Sequence, residues 1–254
     1  MLPKIVTSRS NTENCISPRS VLDHCESLLQ SNAYRIMLWI YASFSLVGNA
    51  MSFIGRIIFS GKSQSGFGIF VSSLCISDLT MGVYLTQIGV ADAIYGEDYV
   101  IHTDKWKTSV MCHMSGFFSL LSNEVSAYSI CLITIDRFLV LRFPFSRYHF
   151  SRSSAAIASV LSWCVGTTIA AVPLLPSLSQ WHSFSQSSVC VPLPFSNTFA
   201  GYTYSLAVMI IVNLVLFVFI AAGQIIIYQS VMANTLGEGA QRDAGARDAV
   251  IARR

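Results

Sequence analysis

CHMSGFFSLLSNEVSAYSICLITIDRFLVLRFP, residues 112–144, is apolar enough to cross a bilayer and yet carries Glu124, Asp136 and Arg137. A charge at bilayer depth costs about 2.5–3.5 kcal/mol on insertion scales, so a helix keeps one where a partner, a water-filled cavity or a task compensates. Asp136-Arg137-Phe138 falls where such a helix meets its aqueous boundary, and Arg142, Arg147 and Arg152 follow at short intervals. Clustered cations at the end of an apolar span mark the cytoplasmic face. The stretch therefore reads as a membrane helix with an outer mouth at Cys112 and an inner end at the Asp136-Arg137 doublet.

Composition agrees with that reading. Of 254 residues, 53% are hydrophobic and 11% charged, with a mean hydropathy of +0.55, whereas soluble domains carry about 25% charged residues. A net charge of +3 with its cations at the ends of apolar spans argues for membrane sidedness and against nucleic-acid binding. Cys75, Cys131 and Cys164 lie inside apolar runs and read as buried small hydrophobes. Cys15, Cys25, Cys112 and Cys190 lie in polar segments or at helix mouths, where an oxidising face permits disulfides and four cysteines allow three pairings.

Working outward, four further spans appear. Residues 1–33 are polar and hold no apolar core of a secretory signal, which suggests a missing start. YRIMLWIYASFSLVGNAMSFIGRIIF from Tyr34 to Phe59 has no charge between Arg35 and Arg56, the ~20 residues a spanning helix needs. A short turn with Lys62 leads to a second span from Phe67 to Ala93 that buries Asp78 near its middle. The segment YGEDYVIHTDKWKTSVM reads as a polar outer loop with Trp106 as an interfacial anchor. Beyond the 112–144 helix and its basic inner loop, residues 154–177 form a fourth span with Pro173 and Pro176 near its end. A Ser-rich loop with Trp181, His182 and Cys190 leads to a fifth span from Tyr202 to Tyr228, followed by a polar segment to Arg254.

Lys and Arg set the orientation. Arg56, Lys62, Arg137, Arg142, Arg147, Arg152, Arg242, Arg247, Arg253 and Arg254 share one side, against Lys105 and Lys107 in the opposite loops. Lys4, Arg9, Arg19 and Arg35 weaken the bias without reversing it. The expected fold is an all-α membrane protein of five transmembrane helices with its N-terminus outside.

These residues resemble a family. Gly48-Asn49 on the first span, Leu74 to Asp78 on the second, Cys112 followed 24 residues later by Asp136-Arg137 on the third, Trp163 on the fourth and Cys190 in the outer loop match, in order and spacing, the rhodopsin-like G-protein-coupled receptors. The strings SLCISDLTMGVYL, LLSNEVS and RFPF, with Trp106 six residues before Cys112, are similar to the leucine-rich-repeat branch that includes the relaxin and glycoprotein-hormone receptors. The match covers helices one to five of a seven-helix bundle. It implies a domain order of an extracellular segment at 1–33, spans with their loops at 34–232, and a cytoplasmic third-loop segment at 233–254 leading to a sixth helix. Two departures stand out on helix five: Leu216 where the family has a proline, and Gln224 where it has a tyrosine that contacts the arginine of helix three.

The resemblance also assigns roles. Asp136 and Arg137 would couple to a heterotrimeric G protein, with the pair holding the helix end inactive; the alternative is a snorkelling arginine with a chance neighbour. Asp78 and Ser126 fall on the family's sodium site, oxygen ligands suited to a hard cation; the alternative is an Asp hydrogen-bonded to helix neighbours. Cys112 and Cys190 would form a disulfide tying helix three to the outer loop, while Cys15 and Cys25 pair with each other or elsewhere. Asn49 and Trp163 are helix-packing positions, and Glu124 is read as a structural hydrogen-bond node ahead of a ligand contact.

Ser119 stands where amine receptors carry an aspartate, which argues against a monoamine ligand. Asp92, Glu97, Asp98 and Asp104 in the outer loop offer either a steering field for a basic peptide or a solvated face. The expected ligand is an extracellular peptide or protein hormone and the expected location the plasma membrane, as a multi-pass receptor.

Other chemistry is not indicated. Gly61-Lys62-Ser63 lacks the phosphate-loop spacing, His102 and His113 with Cys112 make no zinc pattern, and no nucleophile elbow or zinc-protease helix occurs. No enzyme and no cofactor beyond sodium is expected. Two rival readings stay open: a non-signalling truncated isoform that associates with a full-length receptor, and a transporter fragment, which would call for internal repeats or broken helices.

Overall fold

The computed structural model describes residues 28–29, 31–60, 65–96, 99–143, 150–175, 181, 184–185, 187–192 and 201–251, with side chains of the last helix described to Met232. The sequence readings at Cys15, Cys25, Lys62, Glu97, Asp98, Pro144, Arg147, Pro176 and His182 lie outside these residues. Helices are the regular elements among the described residues: α1 Asn32–Ser60, α2 Gly66–Tyr95, α3 Tyr99–Lys107, α4 Val110–Arg142, α5 Arg152–Ala171, α6 Tyr202–Leu206 and α7 Asn213–Ile251. A 3-10 turn at Val172–Leu174 closes α5, with Pro173 in it, and a π-helical stretch at Ala207–Val212 joins α6 to α7.

Serines start three of the long helices by satisfying a free backbone N–H of the first turn. The side chain of Ser65 accepts from Gly68 N, that of Ser109 from Cys112 N, and that of Ser151 from Ser154 N. At the far end of α2, Gly96 takes a left-handed φ of 48°, where a glycine carries no Cβ penalty.

Four helical stretches are long and apolar enough to cross a membrane by themselves: Asn32–Phe59, Gly66–Tyr95, Arg152–Leu174 and Tyr202–Met232. The helix that decides the fold, α4, is not among them. Its position explains why. It packs against α2, α5 and α7, so its serines, Asn123 and Glu124 face protein rather than lipid, and a surrounded helix is free to be polar. The perimeter helices are built inside out by comparison. Large apolar side chains such as Phe44, Met51 and Phe217 face outward, the last 67% exposed, as a lipid-facing surface requires.

Cys164, expected to be buried, is exposed on this perimeter, whereas Cys75 is buried. The apolar run it belongs to faces outward from the bundle, so apolar surroundings in sequence did not mean protein surroundings in space.

Small residues bring the helices together. A Cβ at Gly166 of α5 would stand 2.7 Å from Val125 Cγ2, and one at Gly223 of α7 would stand 2.5 Å from Thr134 Cγ2. Past the fifth span α7 does not stop. Its 39 residues continue through Gly237, Gly239 and Gly245 to Ile251, a length of about 58 Å at 1.5 Å per residue against a hydrocarbon core of about 30 Å. Up to Ile251, the segment expected to form a cytoplasmic third loop is helical.

Candidate functional site

The candidate site is α4 read from its outer mouth to its inner end. At the mouth Cys112 and Cys190 form a disulfide, with Cα atoms 5.4 Å apart. Cys190 is the one described non-glycine residue with positive φ, at 57°, a conformation of a kind that surrounding structure must hold in place. Its N–H donates to Ser187 O at 3.1 Å. Around the disulfide lies an apolar cluster of Leu28, Tyr84, Ile88, Ala91, Tyr99 and Trp106. Trp106, expected at the membrane interface, is instead 1% exposed and donates its indole N–H to Ser188 O at 2.8 Å. The polar segment that carries it folds as α3, whose helical turn points the ring inward. Tyr84 OH donates to Val189 O at 3.0 Å, tying α2 to the same loop.

Asp92 is likewise corrected. It belongs to α2, is buried, and its Oδ2 lies 2.8 Å from Arg35 Nε, an ion pair of α1 with α2. Its Oδ1 accepts from Leu29 N at 3.2 Å. A carboxylate committed in this way does not steer a ligand. Asp104, on α3, is exposed.

One level down, Glu124 is fully buried and accepts from Asn213 Nδ2 at 3.0 Å. Asn213 also donates to Val208 O at 2.9 Å, and Asn123 Nδ2 donates to Asn213 Oδ1 at 3.3 Å. This amide is the polar seam between α4 and α7. The sequence reading missed it, although the signal was present: Asn213 and Gln224 are amides in the most apolar span and stand eleven residues apart, about three helical turns and so on one face.

Asp78 and Ser126 come together. Ser126 Oγ donates to Asp78 Oδ1 at 2.9 Å, and Ser77 Oγ lies 2.8 Å from Ser126 Oγ. Asn49 keeps to its own helix, donating to Ser45 O at 3.0 Å, while Ser45 Oγ donates to Asp78 O at 2.5 Å. Trp163 Nε1 donates to Ser73 Oγ at 3.0 Å, with Ser73 in turn 3.3 Å from Ser129 Oγ, so α5, α2 and α4 share one hydrogen-bond chain. Ser119 is buried.

At the inner end, Asp136 is 5% exposed and Arg137 half-buried. The Arg137 side chain meets a ring of α2. The Arg137 guanidinium carbon stands 3.5 Å over the centroid of the Phe67 ring at the start of α2. Thr134, nearly one turn before Arg137, accepts from Gln224 Nε2 of α7 at 3.1 Å. Gln224 is thus an amide that grips α4 just before the doublet. Phe67 carried no sequence signal of its own, since a phenylalanine at a span end is ordinary.

Comparison with known proteins gives this geometry its relatives. A family model described as 7 transmembrane receptor (rhodopsin family) matches residues 49–252. The G-protein coupled receptor GRL101 of Lymnaea stagnalis is 31% identical over 87% of this chain and 21% of its own length. Relaxin receptor 2 of Homo sapiens is 29% identical over 94% of the chain and 32% of its length. The lutropin-choriogonadotropic hormone receptor of Sus scrofa is 27% identical over 87% of the chain and 31% of its length. The chain thus spans about a fifth to a third of these relatives. Squid rhodopsin shares the fold with a TM-score of 0.60 at 17% identity, over 84% of this chain and 57% of its own.

Proposed function

Because the chain belongs to the rhodopsin family of seven-transmembrane receptors, we propose that it forms the part of a plasma-membrane receptor that passes binding of an extracellular peptide or protein hormone to a heterotrimeric G protein. In this reading residues 1–33 are extracellular, 34–232 hold the spans with their connecting loops, and 233–254 are cytoplasmic. The observation that supports coupling most directly is the Asp136-Arg137 doublet at the basic inner end of a helix whose outer end is held by a disulfide. Such a helix holds a cation near its cytosolic end, where the terminal carboxylate and backbone carbonyls of a partner helix are suitable acceptors. Relatives named for relaxin and for lutropin-choriogonadotropic hormone support a polypeptide ligand, as does Ser119 in place of an aspartate.

In a receptor carrying this chain, Arg137→Ala abolishes nucleotide exchange on the partner G protein while surface display persists. Exchange at the wild-type rate in that variant would refute the coupling role.

Asp78 and Ser126 would hold a sodium ion. The donor set fits a hard monovalent cation, with one carboxylate for its charge and the hydroxyls of Ser126 and Ser77 within reach. Bound sodium would neutralise the carboxylate and tie α2 to α4. Sodium raises the melting temperature of the wild-type protein relative to choline, and Asp78→Asn removes the difference; the same sodium effect in both proteins would exclude the site.

A further inference from the structure

We propose that Phe67 parks the Arg137 guanidinium on its ring in the resting receptor, and that leaving this ring is the step that frees Arg137 for its cytosolic partner. The second clause rests on the coupling role given above; the first rests on geometry alone.

The guanidinium carbon lies 3.5 Å over the ring centroid, well inside the ~6 Å within which a cation is attracted to an aromatic face. Arg56, at the end of α1, brings a second guanidinium to 5.9 Å of the same centroid. Both cations thus lie within the range at which the negative face of one ring attracts them. Phe67 is itself held still. A Cβ at its neighbour Gly66 would stand 2.6 Å from Phe150 O, and Phe70 meets Phe150 edge to face at 5.1 Å, so the first turn of α2 is pinned against the start of α5. The neighbouring Asp136 is buried. Phe67 is thus a positioning residue that acts through Arg137.

The contact differs from the others on α4 in chemistry and in consequence. A contact with a ring face uses none of the five N–H donors of the guanidinium. A carboxylate or carbonyl arriving from the cytosol offers stronger, charge-assisted bonds, and the ring competes only weakly with it. Parking therefore sets a threshold that a correct partner crosses.

The test is arginine-selective labelling by phenylglyoxal of the chain in lipid nanodiscs, read residue by residue from peptide masses. Phe67→Leu keeps apolar bulk and removes the π face; it raises the Arg137 labelling rate roughly two- to thirty-fold, the range a lost cation–π contact allows, and leaves Arg152 unchanged. Phe67→Trp, with a stronger face, labels at or below the wild-type rate. Equal Arg137 rates in the three proteins overturn the proposal, and so does a parallel rise at Arg152, which marks general loosening of the inner end. No G protein takes part in this measurement, so its failure and a failure of Arg137→Ala to abolish exchange are told apart.

Discussion

The two ends of α4 are built on different principles. At the outer end a covalent bond, a fully buried indole and a cluster of apolar side chains fix the helix to α2, α3 and the loop before Cys190. At the inner end the contacts among the described residues include a hydrogen bond from Gln224 and a ring under Arg137, beside the buried Asp136. The outer contacts are cooperative and dry, like the core of a soluble domain. Those at the inner end can be exchanged one at a time. A helix anchored in this way can tilt or turn at its inner end without losing its place at the outer, which is the asymmetry a signal-passing element needs.

Substitutions at the two ends should therefore differ in size. Trp106→Ala removes a buried indole and its hydrogen bond and costs about 3–5 kcal/mol, seen as a large drop in melting temperature or loss of surface display. A loss below 1 kcal/mol would mean that the outer end is not a packed core. Replacing both Cys112 and Cys190 by serine opens a loop with a sequence separation of 78 residues and costs about 2–5 kcal/mol; melting of the variant against the reduced wild type checks it, and the two should coincide. Gln224→Leu should be the mildest, about 0.6 kcal/mol and at most about 1.7 kcal/mol, because Thr134 Oγ1 keeps its bond to Ile130 O at 2.9 Å. A cost for Gln224→Leu as large as that for Trp106→Ala would erase the difference between the ends.

Four spans were legible from composition and length and the third from its charges and motif spacing, and each sequence expectation begins within a few residues of its helix. The disulfide partners, Asp78 with Ser126, and the doublet were legible through spacing along a known pattern. What stayed hidden depends on the rotation of one element against another. Trp106 reads as an interface residue until α3 forms and turns it inward. Asp92 reads as a loop charge until Arg35 and the N–H of Leu29 are seen to reach it from the chain before and at the start of α1. Gln224 stands out as an amide in an apolar span, but its partner Thr134, 90 residues away, stayed hidden. Cys164 shows the limit most simply, because an apolar neighbourhood in a membrane helix does not distinguish lipid from protein.

The π-helical stretch at Ala207–Val212 sets the angular phase of everything below it on the fifth span. It winds more residues into a turn than the α-helix that follows, so Asn213, Gly223 and Gln224 meet α4 only with that surplus in place. Deleting one residue from the stretch would swing the whole cytosolic half of α7 by about 100° and carry its amides round to the hydrocarbon. The local winding of six residues thus acts as a dial for contacts made several turns away.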